Sequence, residues 1–381
     1  SEVISFIVSE CDDAANNLPD SYVNEPGAEI GRVTKGFAMA VKSKALLYAA
    51  SKLHNPSMDT ELWKKSAKAA IDIINTGLYS LDPQESANNL DSKEVVLMRI
   101  NGDNSDFEMF NLPLRMTAGT RTSSLIPYSN YPSQNLVDAL ETVNGYKVTL
   151  ENTGWVCEDP AFDPQSPYEN RDKRFYRAIL ANGMSFKDYT IETFKGGADD
   201  GIVSQGGSPT GYFLRKYIQE ATSFEPGKEA VSKHHWVIYR YAETLLTYAE
   251  SMVNAFNDVN YTDETYKYSA LWAINEVRNN ADMPLIPSMG KDEFMERLYN
   301  EWRVEFAFED HRFWDVRRWK IADTTQRELY GVKIEKQADG TFNFYKNLYE
   351  TRNWRDCMYL YPIPQSELYK NTNLNPQNTG W

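Results

Sequence analysis

The stretch from 296 to 319, ERLYNEWRVEFAFEDHRFWDVRRW, restricts the possible folds of this chain more than any other segment. Glu301, Glu305 and Glu309 repeat at intervals of four residues, and this spacing places side chains on one face of an α-helix. The pattern predicts a helical segment that is packed into the core. Six neighbouring apolar side chains form a surface that is too large to be left in water: Phe306, Phe308, Phe313, Trp314, Val316 and Trp319.

The carboxylates of this stretch have two possible roles. They could act as an acid/base centre, or they could be structural groups in ion pairs with Arg297, Arg303 and Arg312, which lie close in sequence. The abundance of arginine favours ion pairs, which keep carboxylates charged, whereas a glycosidase needs one carboxyl group with a raised pKa. The sequence contains no HExxH, GxSxG, P-loop or GxGxxG motif. We therefore predict a protein that is not an enzyme.

A second charged segment, YENRDKRFYRAI (168–179), has a similar character. Arg171, Arg174 and Arg177 recur at intervals of three residues, and Asp172 lies between them. We interpret this segment as a structural cluster of ion pairs, with ligand binding as the alternative.

Composition and charge argue against several classes of protein. The chain has 381 residues, enough for two packed subdomains, and a net charge of −14 without a long basic block. It is therefore unsuited to bind nucleic acid, or to dock on anionic lipid by charge. No apolar run approaches the roughly 20 residues of a membrane span. Aromatic residues make up 13% of the chain, and their flat rings suit stacking on sugars or peptides.

Helical periodicity alternates with loop composition along the chain. Patterns at about 34–53, and from Asp59 as N-cap to Gly77 as C-cap, predict a pair of helices. Patterns at about 233–255 and 263–280 predict a second pair, and such pairs are tetratricopeptide-like helical hairpins. Four segments result: helices at 1–81, a loop-rich ligand-binding subdomain at 82–232, a second helical pair at 233–282, and a C-terminal helical block and tail at 283–381.

Aromatic residues in the loop-rich subdomain are the best candidates for ligand contact. Trp155 lies in ENTGWVCEDP, without a periodic pattern that would bury it, and Tyr128 and Tyr131 lie between prolines in SLIPYSNYPSQ. A ring held on a rigid loop loses little entropy when it stacks on a flat ligand. Arg121 and Asn130 are the nearest candidates for hydrogen bonds to sugar hydroxyl groups. Each of these rings could equally cap the core.

The sequence offers little for metal binding. His234 and His235 are adjacent, so on the predicted helix their side chains would diverge by about 100° and could not share one metal. A core or interface role is therefore favoured for both. KGGADDG (195–201) places Asp199 and Asp200 beside glycines, but it lacks the spaced acids of an EF-hand loop. We predict no cofactor, with Asp199 and Asp200 as weak candidates for a structural calcium site.

Several motifs resemble one known family. RLYNEWRVEFAFEDHRFWDVRRW resembles the late helical signature of SusD/RagB proteins, in which Gly usually stands where this chain has Asp310. RYAETLLTYAES (240–251), LWAINEVRNNA (271–281) and the tail PIPQSELYKNTNLNPQNTGW resemble further family motifs in the expected order. Residues 82–381 together resemble the C-terminal domain of that family. Its N-terminal part, with the lipidated cysteine and first helices, is expected to lie outside this chain.

The resemblance implies both a fold and a function. The implied fold is a SusD-like α superhelix, mainly α, in which tetratricopeptide-like helical hairpins support a loop-rich subdomain with few short strands. The implied function is binding of oligosaccharide or polysaccharide, without catalysis, and delivery to a SusC-type TonB-dependent outer-membrane transporter. The protein would be a cell-surface lipoprotein of a Gram-negative bacterium, held only by an N-terminal lipid anchor outside this chain. Its helical side would dock on the transporter, since helical repeats present broad surfaces to proteins.

Three alternatives remain open. The ligand could be a peptide, as for the RagB branch of the family. The chain could instead be a purely structural interaction scaffold, in which the loop aromatics are buried. A glycan hydrolase is the third alternative, and turnover of a bound glycan would reveal it. The sequence does not name the ligand, because stacking rings carry little specificity for one sugar.

Overall fold

The computed structural model describes residues 1–22, 31–82, 90–117, 129–201 and 207–381. Within these ranges the chain forms twelve α-helices and twelve mostly short strands. The predicted mainly α fold with few short strands is therefore confirmed. In the same ranges, no helix combines the length and the apolar character needed to cross a membrane.

The longer helices belong to two parts of the chain, before residue 77 and after residue 240. The helices are α1 (Glu2–Asn17), α2 (Lys35–Ala50), α3 (Thr60–Thr76), α4 (Asp106–Asn111), α5 (Gln134–Val137), α6 (Lys173–Ala178), α7 (Tyr241–Phe256), α8 (Ala270–Asn280), α9 (Lys291–Glu305), α10 (His311–Arg318), α11 (Ala322–Thr325) and α12 (Gln365–Lys370).

The strands pair only two at a time, in antiparallel order: β1 with β10, β2 with β9, β3 with β4, β5 with β8, β6 with β7, and β11 with β12. The strands are β1 (Val95–Arg99), β2 (Asp103–Asn104), β3 (Val148–Glu151), β4 (Gly154–Cys157), β5 (Ile179–Leu180), β6 (Ser185–Phe186), β7 (Tyr189–Thr190), β8 (Phe213–Leu214), β9 (Ser232–Lys233), β10 (Trp236–Arg240), β11 (Glu328–Lys336) and β12 (Phe342–Thr351).

One hydrophobic core joins the long helices. α2 packs on α3, α3 on α7 and α7 on α8, and the buried rings of Trp63 and Trp302 belong to the same cluster. α3 has the predicted ends. The Asp59 carboxylate accepts a hydrogen bond from the Glu61 N–H at 2.9 Å, and Gly77 ends the helix in the left-handed conformation at φ 64°. The tetratricopeptide-like packing of the first helical pair is therefore set by local capping as well as by apolar spacing.

The second helical pair begins later than predicted. Residues 233–240 contribute to strands β9 and β10, and α7 starts only at Tyr241. Tyr239 is buried whereas Ile238 is 44% exposed, which is the two-residue alternation of a strand. β10 then satisfies its backbone by pairing with β1. α8 likewise starts at Ala270 rather than near 263.

The stretch 296–319 forms two helices rather than one continuous helix. Phe308 and Asp310, in the connection between α9 and α10, both have a φ of 63°. This left-handed conformation interrupts an α-helix. Phe313 and Trp314 were predicted to be buried, and this prediction is wrong: on α10 each is 43% exposed.

The three glutamates of this stretch form ion pairs, as predicted. Arg174 binds Glu301 and Glu305 at 2.5 and 2.8 Å, and Arg240 binds Glu305 and Glu309 at 2.6 and 2.9 Å. Burial opposes the ionisation of Glu305, but the charges of Arg240 and Arg174 outweigh it and lower its pKa to about 2. These carboxylates are therefore held in the charged form, as structural groups.

The predicted partners of these glutamates are wrong. Arg297 pairs instead with Glu141, at 2.7 Å, and the guanidinium groups of Arg303 and Arg312 have no hydrogen bond or ion pair with any residue that the structure describes. The arginines that do pair are Arg174 of α6, Arg240 at the end of β10 and Arg278 of α8, all outside the 296–319 stretch. Arg174 also binds Asp172 at 2.7 Å, so part of the ion-pair cluster predicted for the segment 168–179 forms, whereas Arg171 donates to backbone carbonyls instead.

Candidate functional site

Trp155 does not lie on a loop, so its predicted placement is wrong. It lies in β4 opposite Leu150 of β3, and only 9% of its surface is exposed. Its ring meets those of Tyr168 and Phe344 edge to face, with centroids 5.8 and 5.9 Å apart. Gly154, at φ 116°, begins the strand after a tight turn and so directs the next side chain into the core. The role of Trp155 in ligand binding stays a prediction.

Asn130 and Tyr131 are anchored beside α4. The Asn130 N–H and side-chain amide both donate to Asn111 Oδ1, at 3.0 and 3.2 Å. The Tyr131 ring packs on Phe213 of β8, with centroids 6.1 Å apart. The structure therefore keeps these two residues together and separates them from the Trp155 cluster. Two other predicted residues lie outside the described ranges: Arg121 and Tyr128.

Asp199 and Asp200 are already engaged by the protein. Arg115 donates to both Asp199 oxygens at 2.7 Å, and the Glu192 N–H donates to Asp199 at 2.9 Å. Asp200 accepts a hydrogen bond from the Gly196 N–H at 2.7 Å. The Asp199 charge is thus balanced by arginine. Calcium binding here stays a prediction.

His234 and His235 lie between β9 and β10, not on a helix. His234 Nε2 lies 2.8 Å from Glu108 Oε1, and His235 Nδ1 accepts the Asn101 N–H at 3.1 Å. Burial opposes protonation of His234, but the Glu108 carboxylate outweighs the effect of burial and raises the pKa of His234. The core or interface role predicted for both is therefore confirmed. No group of three or more His, Cys, Asp or Glu in the described ranges is arranged to hold a metal.

A cavity of about 760 Å³ lies beside Asp199, along the edge of β11. We call it the hairpin cavity; it is lined by segments 193–201 and 208–211, residues 332–335 and Asn347. Two backbone hydrogen bonds of 2.8 Å hold these segments together, from Lys195 N–H to the Ile334 carbonyl and from Val332 N–H to the Thr210 carbonyl.

Glycine determines how closely the cavity walls approach. A Cβ at Gly331 would lie 2.6 Å from Thr210 Cα, and a Cβ at Gly211 would lie 2.6 Å from the Val332 carbonyl oxygen. Neither position has room for a side chain. The shape of the hairpin cavity therefore depends on these two glycines.

Free polar groups face the hairpin cavity. The side chains of Lys195, Lys333, Glu335 and Asn347 line it, and none forms a hydrogen bond or ion pair with another described residue. Two amines, a carboxylate and an amide supply both donors and acceptors. The cavity can therefore hydrogen-bond a ligand that carries many hydroxyl groups.

An exposed aromatic ring lies next to these polar groups. Tyr345 of β12 is directly opposite Lys333 in the hairpin register, and Asn347 is opposite Gly331. Directly opposite residues share one face of an antiparallel pair, so Tyr345 lies on the same face of the hairpin as Lys333 and Asn347, which line the cavity. The ring is 42% exposed. A flat exposed ring thus lies on the hairpin next to the free hydrogen-bonding groups of the cavity.

A second cavity, of about 620 Å³, lies between α1, α2, β10 and α10. We call it the helical groove. Apolar residues such as Ile4, Phe37 and Val41 line it, and its edge exposes Ile238 and Trp314 by 44% and 43%. Exposed apolar surface of this kind is typical of sites where proteins meet.

Apart from Asp199 and Asp200, sequence reasoning missed the residues of the hairpin cavity. In TFNFYKNLYE, Phe342 and Phe344 are two residues apart, as expected for the buried face of a strand. The two-residue period could have placed Tyr345 and Asn347 together on the other face. It could not have shown that Lys195, far away in sequence, lies against the same hairpin.

Sequence comparisons place the chain among known proteins. It matches a family model described as the SusD family over residues 93–381. It is 27% identical over 262 residues to SusD-like protein P2 of Formosa agariphila, an alignment that covers 65% of this chain and 45% of that protein. The chain thus spans less than half the length of the curated relatives it matches.

Solved structures show the same fold. A SusD-like protein from Bacteroides fragilis superposes with a TM-score of 0.76 at 28% identity, over 100% of this chain and 71% of that one. A SusD-like carbohydrate-binding protein from the same species superposes with a TM-score of 0.72 at 25% identity, over 98% of this chain and 71% of that one. The matched model covers most of the sequence, including the charged stretch and the hairpin. The chain belongs to the SusD family.

Proposed function

We propose that this protein binds an oligosaccharide in the hairpin cavity and does not cleave it. One observation carries the proposal: the exposed Tyr345 ring shares a face of the hairpin with Lys333 and Asn347, whose side chains line the cavity with Lys195 and are free to bond a ligand. An aromatic ring stacks on the C–H face of a sugar, and amines and amides bond its hydroxyl groups. A relative described as carbohydrate-binding shares the fold.

The predicted loop residues are proposed as additional contacts. Tyr131, which follows Asn130, packs against a hydrophobic cluster that includes Met116, and the preceding residue Arg115 forms an ion pair with Asp199 at the wall of the hairpin cavity. We keep the remaining predicted residues in the proposal as well: Arg121, Tyr128 and Trp155.

Binding without bond cleavage is supported by the state of the carboxylates. The charged cluster of α9 is matched by arginine, and the pKa of Glu305 and Glu309 is lowered despite burial, through Arg240 above all. A general acid would need a raised pKa and access to the ligand. Glu305 and Glu309 therefore serve the fold.

The proposal extends to delivery of the ligand to a transporter. We propose that the protein acts at the cell surface of a Gram-negative outer membrane, with a SusC-type TonB-dependent transporter as its partner. Its helical side would be the docking face, and the exposed apolar residues of the helical groove, including Ile238 and Trp314, support this choice. A lipid anchor in a preceding segment would hold the protein at the membrane.

Affinity electrophoresis against a panel of polysaccharides and peptides tests ligand capture. The variants are wild type, Tyr345→Ala and the control Tyr369→Ala, which removes a ring that is 78% exposed on α12 and belongs neither to the hairpin nor to the cavity lining. We expect one glycan to retard wild type and the control, and Tyr345→Ala to lose about tenfold or more in affinity, as at a binding hot spot.

The other outcomes of this experiment decide between the alternatives. Equal retardation of Tyr345→Ala and wild type would place the glycan outside the hairpin cavity, and Tyr131→Ala would then test the loop residues. Retardation by peptides alone would indicate a peptide-binding protein. Release of shorter sugars from a bound glycan would indicate a hydrolase. Absence of retardation by any member of the panel would favour the structural scaffold.

A further inference from the structure

Buried arginines in this protein are usually held by several acceptors. Arg318 binds Glu250 through two nitrogens, at 2.5 and 2.9 Å, and Asp315 at 2.8 Å. Arg171 donates to three backbone carbonyls. Arg303 differs: it is half-buried on α9, and its guanidinium has no hydrogen bond or ion pair in the part of the chain that the structure describes.

A cavity of about 630 Å³ lies beside Arg303. We call it the arginine pocket. A second guanidinium, that of the exposed Arg327, also lines it, and it too has no partner among the described residues. The pocket shares no lining residue with the hairpin cavity. Its other lining residues are Asn135, residues 323–325, Glu328 and Tyr330.

The other polar side chains of the arginine pocket already have partners. The Tyr359 hydroxyl donates to Asp323 at 3.1 Å, and the Tyr330 hydroxyl donates to Glu328. Asn135 accepts the Tyr330 N–H and donates to the Glu328 carbonyl. The hydroxyl groups of both lining threonines donate to the carbonyl that precedes α11. The two guanidiniums are thus the free hydrogen-bond donors of this pocket.

The electrostatics of Arg303 favour an anion. Its burial, and then the neighbouring charge of Arg312, lower the pKa of Arg303 to about 9. Arg312 also lacks a partner in the described ranges, and its Nε is buried without a hydrogen bond. At neutral pH Arg303 is charged, at a cost that an anion beside it in the pocket would reduce.

We propose that the arginine pocket binds the carboxylate or sulfate group of an acidic sugar. A planar guanidinium offers two parallel N–H donors that fit the oxygens of such a group. The volume of about 630 Å³ lies within the range of small-molecule sites, so it holds a sugar ring as well as the anionic group. The sugar part of this proposal rests on the proposed glycan function, whereas the anionic part rests on the unpaired arginines alone.

Thermal unfolding and calorimetric titration test this proposal on the full chain. The probes are D-galacturonate and galactose 6-sulfate, with neutral galactose as the matched control and with free acetate and sulfate at equal ionic strength. We expect at least one acidic sugar to bind wild type and raise its Tm, and galactose to do neither. Arg303→Met and Arg327→Met should each weaken binding about tenfold or more, because each removes charge-assisted hydrogen bonds.

Arg297→Met is the matched control, because Arg297 is also on α9 but pairs with Glu141 outside the pocket. It should bind the acidic sugar like wild type. Without ligand, Arg303→Met should unfold at the same temperature as wild type or higher, since the charge that it removes has no partner. A lower Tm of Arg303→Met, with unchanged affinity in Arg327→Met, would make Arg303 a structural residue and overturn the proposal.

Three further results separate this proposal from the glycan function. Free acetate or sulfate that binds as tightly as the acidic sugars would overturn the sugar part. Absence of acidic-sugar binding by wild type, together with glycan retardation that depends on Tyr345, would overturn the arginine pocket alone. Absence of acidic-sugar binding together with absence of glycan retardation would overturn the arginine-pocket proposal and the proposed glycan function alike.

Discussion

Arg240 lies at the centre of a buried network of charges that joins β10 to α9. Its guanidinium contacts Glu94 at 2.7 Å, Glu305 at 2.6 Å and Glu309 at 2.9 Å. It also stacks on the Phe306 ring, at 4.2 Å from the centroid. Removal of one partner from such a network leaves charges buried without compensation, which costs more free energy than the pairing itself contributes.

Arg240→Met should therefore lower the free energy of unfolding by about 3–5 kcal/mol. Urea unfolding followed by circular dichroism measures this loss. Arg352→Met is the control, because Arg352 pairs with Glu350 on the exposed hairpin, and removal of such a pair costs about 1 kcal/mol or less. Equal stability of the two variants would show that the buried network contributes no more than a surface ion pair.

The same network predicts how stability depends on pH. The charges of Arg240 and Arg174, acting against burial, lower the pKa of Glu305 from 4.5 to about 2. At a separate buried carboxylate, Lys44 and then His311 likewise outweigh burial and lower the pKa of Glu243 to about 2. A lowered folded-state pKa contributes stability that is present above pH 4.5 and is lost as pH falls towards 2.

We expect the free energy of unfolding to fall steadily between about pH 4.5 and 2, measured by urea unfolding at several pH values. Glu305→Gln lacks one of the titrating groups, so its stability should fall less over this interval than that of wild type. Parallel pH curves for the two proteins would contradict the assignment of Glu305. Burial raises the pKa of Glu94, so its protonation acts in the opposite direction, but that contribution changes mainly above pH 4.5 and lies outside this interval.

Individual residues differ in how far the sequence predicts them. The caps Asp59 and Gly77 are local features, and both were predicted correctly. The partners of Glu305 were not, because Arg174 and Arg240 reach it only after distant segments have packed. Trp155 was misplaced for a related reason: pairing of β4 with β3 buries it, and its flanking Gly and Pro residues indicate a loop.

The β11–β12 hairpin is the element on which the proposed glycan site depends. Its outer edge is joined to the segments that carry Lys195 and Thr210 by backbone hydrogen bonds. This arrangement requires a residue without a side chain at Gly331, because Thr210 lies against it. A strand edge that is paired in this way holds its side chains in fixed positions, which lowers the entropy lost on binding.

Gly331→Ala should disturb the hairpin cavity. Its Cβ would lie 2.6 Å from Thr210 Cα, so the wall must move, at a cost of about 1–3 kcal/mol in stability. Glycan retardation should weaken as well. The control is Gly290→Ala, where a Cβ meets nothing within 4 Å and the φ of −67° suits any residue. Unchanged glycan affinity in a folded, destabilised Gly331→Ala would show that the cavity wall does not shape the site.

Helices were easier to predict than strands, for a physical reason. The apolar spacing of α2 and α3 follows from the helix period alone, so their approximate bounds were predicted. The first residues of the 233–255 segment fit a helical stripe and also a strand, and pairing with β1 decided between the two. The register of β11 with β12, which places Tyr345 opposite Lys333, cannot be derived from local spacing.

The whole molecule presents two surfaces of different chemistry. The hairpin cavity is lined by polar groups beside an exposed ring, and the helical groove is lined mainly by apolar side chains. The two share no lining residue. Ligand capture and transporter docking, the two parts of the proposed function, should therefore be separable by mutation.

Trp314→Asp tests this separation on the helical side. Trp314 is 43% exposed at the edge of the helical groove, and a carboxylate there would have to lose its water in a complex with an apolar partner. We expect affinity for the SusC-type transporter to fall about tenfold or more, as measured by biolayer interferometry with the transporter in detergent. Glycan retardation should be unchanged, and Tyr345→Ala should show the reverse pattern.

Leu285→Asp is the control for this last experiment. Leu285 is 59% exposed in the connection between α8 and α9, outside the helical groove, so the same kind of substitution there should leave transporter affinity unchanged. Equal weakening by both variants would indicate a general effect of added negative charge on a chain that already carries −14. Unchanged transporter binding by a folded Trp314→Asp would exclude Trp314 from the docking face. Loss by Trp314→Asp alone would connect the helical side to delivery and leave ligand capture to the hairpin.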